Sequence, residues 1–450
     1  MSLKIGHGMK APSILAVLAL GLTAPLAACG GDASGDSKGT IDYWLWDANQ
    51  QPAYQKCADA FHKENPDLTV KITQRGWDDY WATLTTGFQS GEAPDVFTDH
   101  LSKYPEFVEN GVLMPLEDAI GDDIDTSIYS PGLADLWVGK DGKRYGLPKD
   151  WDTVALFYNK SMVEDADLSA EDMGNLTWNP EDGGTFEEAV AKLTVDKNGK
   201  HGDEPGFDKS NVAVYGLGIP GSGGGAGQTE WSWFADTTGW RHTDENPWGT
   251  HYNYDDPRFQ QSIAWWKSLI DKGYAPPLET TVGASMNDNF GAGKSAINAN
   301  GSWMIGAYAG YTDVDLGIAP TPVGPEGRAS MFNGLADSIF SGTDDPEGAG
   351  KWVQFLASSA CEDIVGEQGV VFPAISSGAD KATEVFGKEG LDVTAFTMQV
   401  TDKTTFLFPI TDHAADITAI MQPAMDEVMS GKKPVSSLSD ANEQVNALFD

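Results

Sequence analysis

The chain has 450 residues, of which 40% are hydrophobic and 10% aromatic, enough apolar material for two or three folded domains. Its 67 acidic residues outnumber its 29 basic residues, which gives a formal net charge of −38 at pH 7. A surface of this charge repels the phosphates of nucleic acids and anionic lipid headgroups, so we expect no nucleic acid partner. Neutral or cationic small molecules remain as ligands.

The N-terminal segment has the features of a secretory signal. Two lysines precede an apolar run without charge at residues 11–28. Prolines and glycines interrupt this run and no stop-transfer charges follow, which argues against a membrane-spanning helix. The sequence Leu-Ala-Ala-Cys at residues 26–29 resembles the bacterial lipobox and implies lipidation at Cys29, whereas the alternative is an ordinary cleaved signal. We therefore expect a lipoprotein signal peptide at residues 1–29 and a flexible tether at 30–39, which holds an extracellular body at the cell membrane.

Two further cysteines, Cys57 and Cys361, form an even pair once Cys29 is assigned to lipid. In an oxidising compartment they either form one disulfide or remain two buried thiols. The sequence does not show whether they are close, so both alternatives stay open at this point.

The first third of the folded part alternates strands with helices. The hydrophobic periodicity predicts strands at residues 41–46, 68–74 and from 94 onward, and helices at 53–64, 78–90 and 104–110. Strands that alternate with helices are typical of a mostly parallel sheet covered on both faces.

A second round of strands and helices begins near Trp151. We expect strands at 153–160, 212–219, 295–300 and 334–341, and helices at 185–193, 259–272, 347–357, 412–430 and 435–448. Thr185 is the expected N-cap of the helix at 185–193. The order again indicates an α/β architecture.

Two segments of this region suggest other ligands at first sight. Residues 221–227 (GSGGGAG) lack the Lys-Ser/Thr of a P-loop and the spacing of the dinucleotide fingerprint, so we interpret them as a flexible loop. Residues 196–200 (DKNGK) begin like a calcium loop, but Lys200 stands where an oxygen ligand belongs, which favours a plain turn. We therefore predict neither a metal site nor a cofactor.

Several short motifs occur in the order found in family 1 extracellular solute-binding proteins, the maltose-binding-protein-like receptors of carbohydrate ABC importers. The resemblance covers nearly all of the chain from about residue 40 onward. After the lipobox, it is carried by residues 93–96 (APDV), 111–116 (GVLMPL), 145–148 (YGLP) with 157–160 (FYNK), 333–337 (NGLAD), 355–358 (FLAS) and 369–374 (GVVFPA).

The resemblance implies the α/β, two-lobed periplasmic-binding-protein-like fold of class II, with a hinge and a ligand cleft between the lobes. The lobes would comprise residues 40–150 plus 334–382 (N-terminal) and 151–333 plus 383–450 (C-terminal). Cys57 and Cys361 would then share a lobe, which favours the disulfide. The implied function is not enzymatic: a monomeric, lipid-anchored receptor captures a carbohydrate, closes by hinge motion and delivers the sugar to the permease subunits of an ABC transporter.

A sugar site needs aromatic rings for the apolar C–H faces of the sugar and carboxylates or amides for its hydroxyls. The chain has 15 tryptophans, many of them beside polar residues in predicted loops. By the resemblance, Trp303 matches a position that usually carries a stacking Trp, and Asp152 one that commonly carries a ligand carboxylate. The full set of candidates is Trp46, Asp47, Asn49, Asp99, His100, Trp151, Asp152, Glu230, Trp231, Trp233, Trp303, Asn333 and Asp337.

Two rival functions use similar residues. A secreted glycosidase would also have aromatic residues in a cleft and would need two carboxylates about 5–10 Å apart, but abundant Asp and Glu alone do not indicate one. The sequence has no serine-nucleophile elbow, zinc motif or Cys–His pairing typical of other hydrolases. A receptor of the same fold for another solute, such as a polyamine, would use Trp with Asp and Glu as well.

Overall fold

A computed structural model describes residues 39–122, 124–130, 132–281 and 285–450 of the chain. The predicted signal peptide, the predicted lipidation at Cys29 and the predicted tether before Gly39 lie outside the described residues. Within these ranges, no helix combines the length and the apolar character needed to cross a bilayer.

Strands and helices alternate along most of the described chain. The strands are β1 (Thr40–Leu45), β2 (Thr69–Gln74), β3 (Val96–His100), β4 (Leu147–Asp152), β5 (Val154–Asn159), β6 (Val195–Asp196), β7 (Val212–Gly218), β8 (Ser295–Gly301), β9 (Leu316–Ala319), β10 (Ser330–Ile339), β11 (Phe372–Pro373) and β12 (Thr405–Leu407). The helices are α1 (Gln51–Glu64), α2 (Trp77–Ser90), α3 (Tyr104–Glu109), α4 (Leu116–Ile120), α5 (Lys160–Asp165), α6 (Ala170–Gly174), α7 (Gly184–Leu193), α8 (Ser232–Ala235), α9 (Pro257–Lys272), α10 (Met286–Gly291), α11 (Ile305–Ala309), α12 (Pro346–Leu356), α13 (Ser359–Gly366), α14 (Ser376–Lys388), α15 (Thr394–Thr401), α16 (Ala414–Met429) and α17 (Leu438–Asn446).

The strands form two separate sheets. The first has the order β11-β4-β10-β3-β1-β2, with β12 beside β10, and the second has the order β6-β7-β8-β5-β9. In the first sheet, alternation along β1 buries Ile41, Tyr43 and Leu45 under the covering helices. Among the described residues, the buried apolar side chains form two cores, a first around the first sheet that also includes Phe157 of β5 and a second around the second sheet.

The prediction of a mostly parallel sheet is wrong. β1 is parallel to β2 and β3, but β10 is antiparallel to both β3 and β4, and β5 is antiparallel to β8 and β9. The reason is the path of the chain: β10 enters the first sheet from the second one instead of through a local strand–helix–strand crossover, which would impose a parallel neighbour.

The chain passes from the first sheet to the second within a single residue. β4 ends at Asp152, β5 begins at Val154, and the hydroxyl of Thr153 between them donates to the carbonyl of Phe396 at 3.0 Å. The backbone N–H of Val154 donates to Ser330 Oγ at 2.7 Å, at the start of the returning strand β10. The two crossings thus lie side by side. The residue boundaries of the lobes given above stay a prediction.

Helix α7 begins one residue earlier than predicted. Gly183, in the left-handed region with φ 79°, precedes the helix, so Thr185 is not its N-cap. The hydroxyl of Thr185 instead accepts a hydrogen bond from the backbone N–H of Thr177 at 2.8 Å. A glycine takes the cap position because the chain turns there through a conformation that other residues rarely adopt.

Cys57 on α1 and Cys361 on α13 are joined by a disulfide, and both are fully buried. The sequence left a disulfide and two buried thiols as alternatives, and the structure contains the disulfide. Because 304 positions separate the two cysteines, the bond restricts a very long loop of the unfolded chain.

We predict that reducing this disulfide lowers the free energy of unfolding by about 2 to 5 kcal/mol, since the unfolded chain regains the entropy of the opened loop. Urea unfolding with and without a reductant measures the difference. The double variant Cys57→Ser/Cys361→Ser serves as the control, because its stability should be equally low and insensitive to the reductant. A wild-type protein whose stability ignores the reductant would contradict this prediction.

Candidate functional site

A cavity of about 920 Å³ lies between the two sheets. The first sheet contributes the segment after β1, the end of β3 and the end of β4. The other side comes from the loop at residues 220–228 and from residues 302–304, which follow β8. This volume is at the upper end of the range for small-molecule sites, so the cavity can hold a ligand larger than one small ring.

Four tryptophans line the cavity, Trp46, Trp77, Trp151 and Trp303, and they differ in how much of each ring a ligand can reach. Trp46 and Trp77 meet edge to face, with ring centroids 5.1 Å apart, and Trp77 is 43% exposed. Trp151 lies between the rings of Phe332 and Phe372, with centroid distances of 6.0 and 4.8 Å and nearly parallel planes. Both faces of Trp151 are therefore covered by protein, and only its edge can meet a ligand.

Trp303 is half-buried and folds back over the preceding turn. A Cβ added to Gly301 would come within 1.7 Å of Cζ3 of the indole. Gly301 does not have a left-handed φ, so it is the close approach of the ring, and not the backbone conformation, that requires a glycine. The sequence Asn300-Gly301-Ser302 thus sets where the indole of Trp303 lies.

A chain of hydrogen bonds connects the two sides of the cavity through Asp152. Its Oδ1 accepts from Gln228 Nε2 at 2.9 Å, and its Oδ2 accepts from Asn333 Nδ2 at 3.3 Å. Asn333 Nδ2 also lies 3.0 Å from Nε2 of His100, whose Nδ1 accepts from the backbone N–H of Ser102 at 3.1 Å. These side chains are fixed by one another and by the strands that carry them.

Burial dominates the titration of the polar groups. It raises the pKa of Asp152 well above its ordinary value, and the nearby Asp150 raises it further, while Asn333 and Gln228 lower it. Burial raises the pKa of Asp150 to about 7 against the opposing effect of Lys149, and lowers the pKa of His100 to about 3, which keeps that imidazole neutral. Asp150 Oδ2 and Asn333 Oδ1 have no hydrogen-bond partner among the described residues.

Nine of the thirteen predicted residues line this one cavity. They are Trp46, Asp47, Asn49, His100, Trp151, Asp152, Glu230, Trp303 and Asn333. They come from six separated segments, which the fold brings together at the ends of β1, β3, β4 and β8, within β10 and just before α8. Whether each of them touches a ligand stays a prediction.

Trp231 and Trp233, by contrast, do not line the cavity. Trp231 is fully buried against Phe259 and Trp240, and Trp233 is 1% exposed beside Phe186. The reason is that the chain starts α8 here, and the apolar face of this short helix packs into the second core.

Asp99 and Asp337 also lie outside the cavity lining, in the interior of the first sheet. Asp99 accepts hydrogen bonds from the backbone of His100 and from Ser338, and burial raises its pKa to about 8. Asp337 Oδ1 accepts from the hydroxyl of Tyr43 at 2.8 Å. Both carboxylates are therefore held by hydrogen bonds to neighbouring strands.

Several residues of the cavity are not among those predicted from the sequence. Gln74 ends β2 and Trp77 follows it, as Trp46 follows β1, so the rule that ligand loops follow strands could have found them. Gln228 and the glycine-rich stretch before it carry no such signal. That stretch was interpreted as a flexible loop, yet it is a wall of the cavity.

The residues that resemble the start of a calcium loop form a turn. Asp196 Oδ1 accepts from the backbone N–H groups of Asn198 and Lys200 at 2.7 and 3.0 Å, and Oδ2 accepts from that of Asp208 at 2.8 Å. In the described ranges, no group of three or more His, Cys, Asp or Glu side chains has an arrangement that could hold a metal ion.

Comparisons with known proteins identify relatives along the whole folded part. The profile of the family described as bacterial extracellular solute-binding protein matches residues 56–385. The maltodextrin-binding protein MdxE of Bacillus subtilis is 25% identical, and the match covers 99% of this chain and 97% of MdxE. The crystal structure of UspC from M. tuberculosis is 25% identical and has a TM-score of 0.70, with coverage of 91% of this chain and 99% of UspC.

A third relative shows the fold alone. The ABC substrate-binding protein of Listeria monocytogenes in complex with cycloalternan has a TM-score of 0.76 at 20% identity, and the match covers 91% of this chain and 98% of that protein. These similarities confirm both the family resemblance and the expected two-lobed α/β fold.

We predict that Asp150 makes stability depend on pH. Its folded pKa of about 7 exceeds the value of about 3.9 expected in an unfolded chain, so the folded form binds more protons between these values. Its contribution to stability is therefore full below about pH 4 and is lost as the pH rises through 7. Relative to the wild type, Asp150→Asn should gain stability from pH 4 to pH 8, by up to about 4 kcal/mol.

Urea unfolding across this pH range measures the difference. Asp118→Asn removes an exposed carboxylate outside the cavity lining and should reproduce the wild-type profile. A constant difference between Asp150→Asn and the wild type at every pH would show that Asp150 does not titrate in this window.

Proposed function

Because the chain belongs to the bacterial extracellular solute-binding proteins, a family of non-enzymatic binding proteins, we propose that it is the sugar-binding component of an ABC importer and holds an oligosaccharide between its two sheets. The observation that carries this proposal is the lining of the cavity, in which indole rings alternate with carboxylates and amides. Its volume supports a ligand of more than one sugar ring.

The aromatic side chains suit the apolar faces of a sugar. The C–H bonds on these faces are weakly positive and stack on electron-rich rings. Trp46, Trp77 and Trp303 are the lining tryptophans that retain exposed surface, since Trp151 is covered on both faces. Stacking on a ring is non-directional, so the polar groups must fix the orientation of the sugar.

The polar groups suit hydroxyls, each of which donates and accepts a hydrogen bond. The oxygens of Asp150 and Asn333 that lack a partner among the described residues can accept from a hydroxyl, and Asn333 also donates to Asp152. A buried acceptor without a donor costs about 1–3 kcal/mol, so a hydroxyl that satisfies it contributes directly to affinity.

The named ligands of relatives agree with an oligosaccharide. MdxE is a maltodextrin-binding protein, and the Listeria protein is described in complex with cycloalternan. Neither name fixes the ligand of this chain, because the ligand depends on the residues of the site and not on the fold.

One observation favours a second candidate, a receptor for a polyamine. Four carboxylates line the cavity, those of Asp47, Asp150, Asp152 and Glu230, whereas Lys103 is the cation on the described lining. An amine would satisfy these groups by charge. A calorimetric titration distinguishes the two candidates, because a polyamine receptor would bind the polyamine and not the sugars.

Calorimetric titration of residues 40–450 with malto-, manno- and xylo-oligosaccharides and with spermidine tests the proposal. We expect at least one oligosaccharide to bind and spermidine not to bind. Trp303→Ala should weaken that binding by about 2 kcal/mol or more, roughly 30-fold, because the stacking surface is lost. A ligand that contacts both sides favours the closed form, which small-angle scattering would register as a smaller radius of gyration.

Trp44→Ala is the matched control, since Trp44 is a half-buried tryptophan outside the cavity lining, and its affinity should equal that of the wild type. Binding of spermidine without binding of any oligosaccharide would show that the protein is a polyamine receptor instead. Release of reducing ends from any of these oligosaccharides by the purified protein would show a hydrolase instead.

We further propose that the protein is anchored through lipid at Cys29 on the outer face of the cell membrane, where it delivers the sugar to the permease. The support is the lipobox-like sequence at residues 26–29. Cys29→Ser should release the protein into the culture medium, whereas Ser34→Ala, in the predicted tether, should leave it in the membrane fraction. An unchanged membrane fraction for Cys29→Ser would refute the anchor.

A further inference from the structure

One wall of the cavity consists almost entirely of backbone. Residues 220–227, which we name the glycine wall, all line the cavity and contain five glycines together with Ser222, Ala226 and Pro220. A ligand on this side meets peptide groups and very small side chains. The wall therefore leaves more room than an ordinary loop would.

Hydrogen bonds hold the glycine wall from the side opposite the cavity. Tyr254 Oη donates to the carbonyl of Gly225 at 2.7 Å, and Nε2 of His242 lies 3.0 Å from the carbonyl of Ala226. Ser222 Oγ donates to Asp426 Oδ1 at 2.5 Å, which joins the wall to α16. Partners from separate segments, of which Tyr254 and His242 are buried, thus fix the shape of this wall.

Three of its five glycines are required by the fold, and a fourth, Gly225, is closely packed. Gly223, Gly224 and Gly227 have φ values of 76°, 51° and 55°, in the left-handed region that disfavours other residues. A Cβ at Gly227 would also come within 2.1 Å of the indole of Trp231. A Cβ at Gly225 would lie only 3.0 Å from Tyr254 Oη, on the side where the wall is held.

Gly221 is different. Its φ is outside the left-handed region, and no heavy atom of the described residues lies within 4 Å of a Cβ built on it. Any L-residue would therefore fit the backbone, and its side chain would extend into open space beside the cavity that Gly221 lines. Neither conformation nor packing accounts for a glycine at this position.

We propose that Gly221 is a specificity-determining residue: the space above its Cα is filled by part of the bound sugar, and its missing side chain sets the largest sugar that the cavity accepts. This inference rests on the proposed sugar-binding function. A pocket discriminates steeply by steric exclusion, and even one methylene can change affinity by roughly 10- to 200-fold.

The test uses Gly221→Ala and Gly221→Leu with the ladder of oligosaccharides that the wild type binds. For the longest sugar, we expect the Kd to rise at least about 10-fold in Gly221→Leu and less in Gly221→Ala. For the shortest sugar, the Kd should change by less than about threefold, a limit well below the effect of one excluded methylene. The Tm of both variants without ligand should equal that of the wild type, because the fold does not need this glycine.

Gly387→Leu is the matched control, since Gly387 has the same steric freedom but lies exposed on α14, outside the cavity lining. Its Kd values should match those of the wild type. Gly223→Ala provides the opposite control and should lower the Tm, because its left-handed φ strains an alanine.

Three results would overturn the proposal. They are an unchanged Kd of Gly221→Leu for the longest sugar, an equal loss for every length, and a lowered Tm of either Gly221 variant, which would mean that the fold requires this glycine. A wild-type protein that binds no sugar would instead reject the proposed function itself, and the unmodified chain alone reveals that outcome.

Discussion

The antiparallel pairing of β4 with β10 is the contact on which the cavity depends. In this pairing Asp152 lies directly opposite Asn333, and Trp151 lies opposite Gly334. Both strands lie at the crossings between the sheets, since β4 leads into β5 across a single residue and β10 returns from the second sheet. Polar side chains at the mouth of the cavity are therefore set by strand register, which positions them more firmly than a loop could.

Building the site from strands places charged side chains in the protein interior. Lys149 is buried one residue before Asp150, and its Nζ donates to Tyr43 Oη at 3.0 Å and to Thr98 Oγ1 at 2.8 Å. The same two hydroxyls donate to Asp337 Oδ1, so they bridge the ammonium and the carboxylate. The network satisfies the charges below the cavity, because an unpaired buried ion would destabilise the fold by several kcal/mol.

The sequence predicts the parts of this architecture that depend on local periodicity. Strand β1 and helix α1 can be located because apolar residues recur at the spacing of each element, and Trp303 and Asp152 because the family resemblance extends to them. It does not predict the direction of β10, which depends on where the chain returns. Trp231 could not be told from a cavity residue, since a tryptophan beside polar residues serves a core equally well and only tertiary packing decides.

The glycine-rich segment shows most clearly why composition alone is ambiguous. Flexible linkers and tightly held walls both use glycine, the former for its freedom and the latter for its positive φ and its lack of a side chain. The hydrogen-bond partners of the segment distinguish a linker from a wall. Here Tyr254 and His242, later in the chain, hold the carbonyls of Gly225 and Ala226. The two sides of the cavity consequently differ in kind: strands fix polar groups on one side, and a bare backbone defines the shape of the other. Hydrogen-bonding chemistry and ligand size are therefore set by different residues, and the hydrogen bond from Gln228 Nε2 to Asp152 Oδ1 couples the two sides.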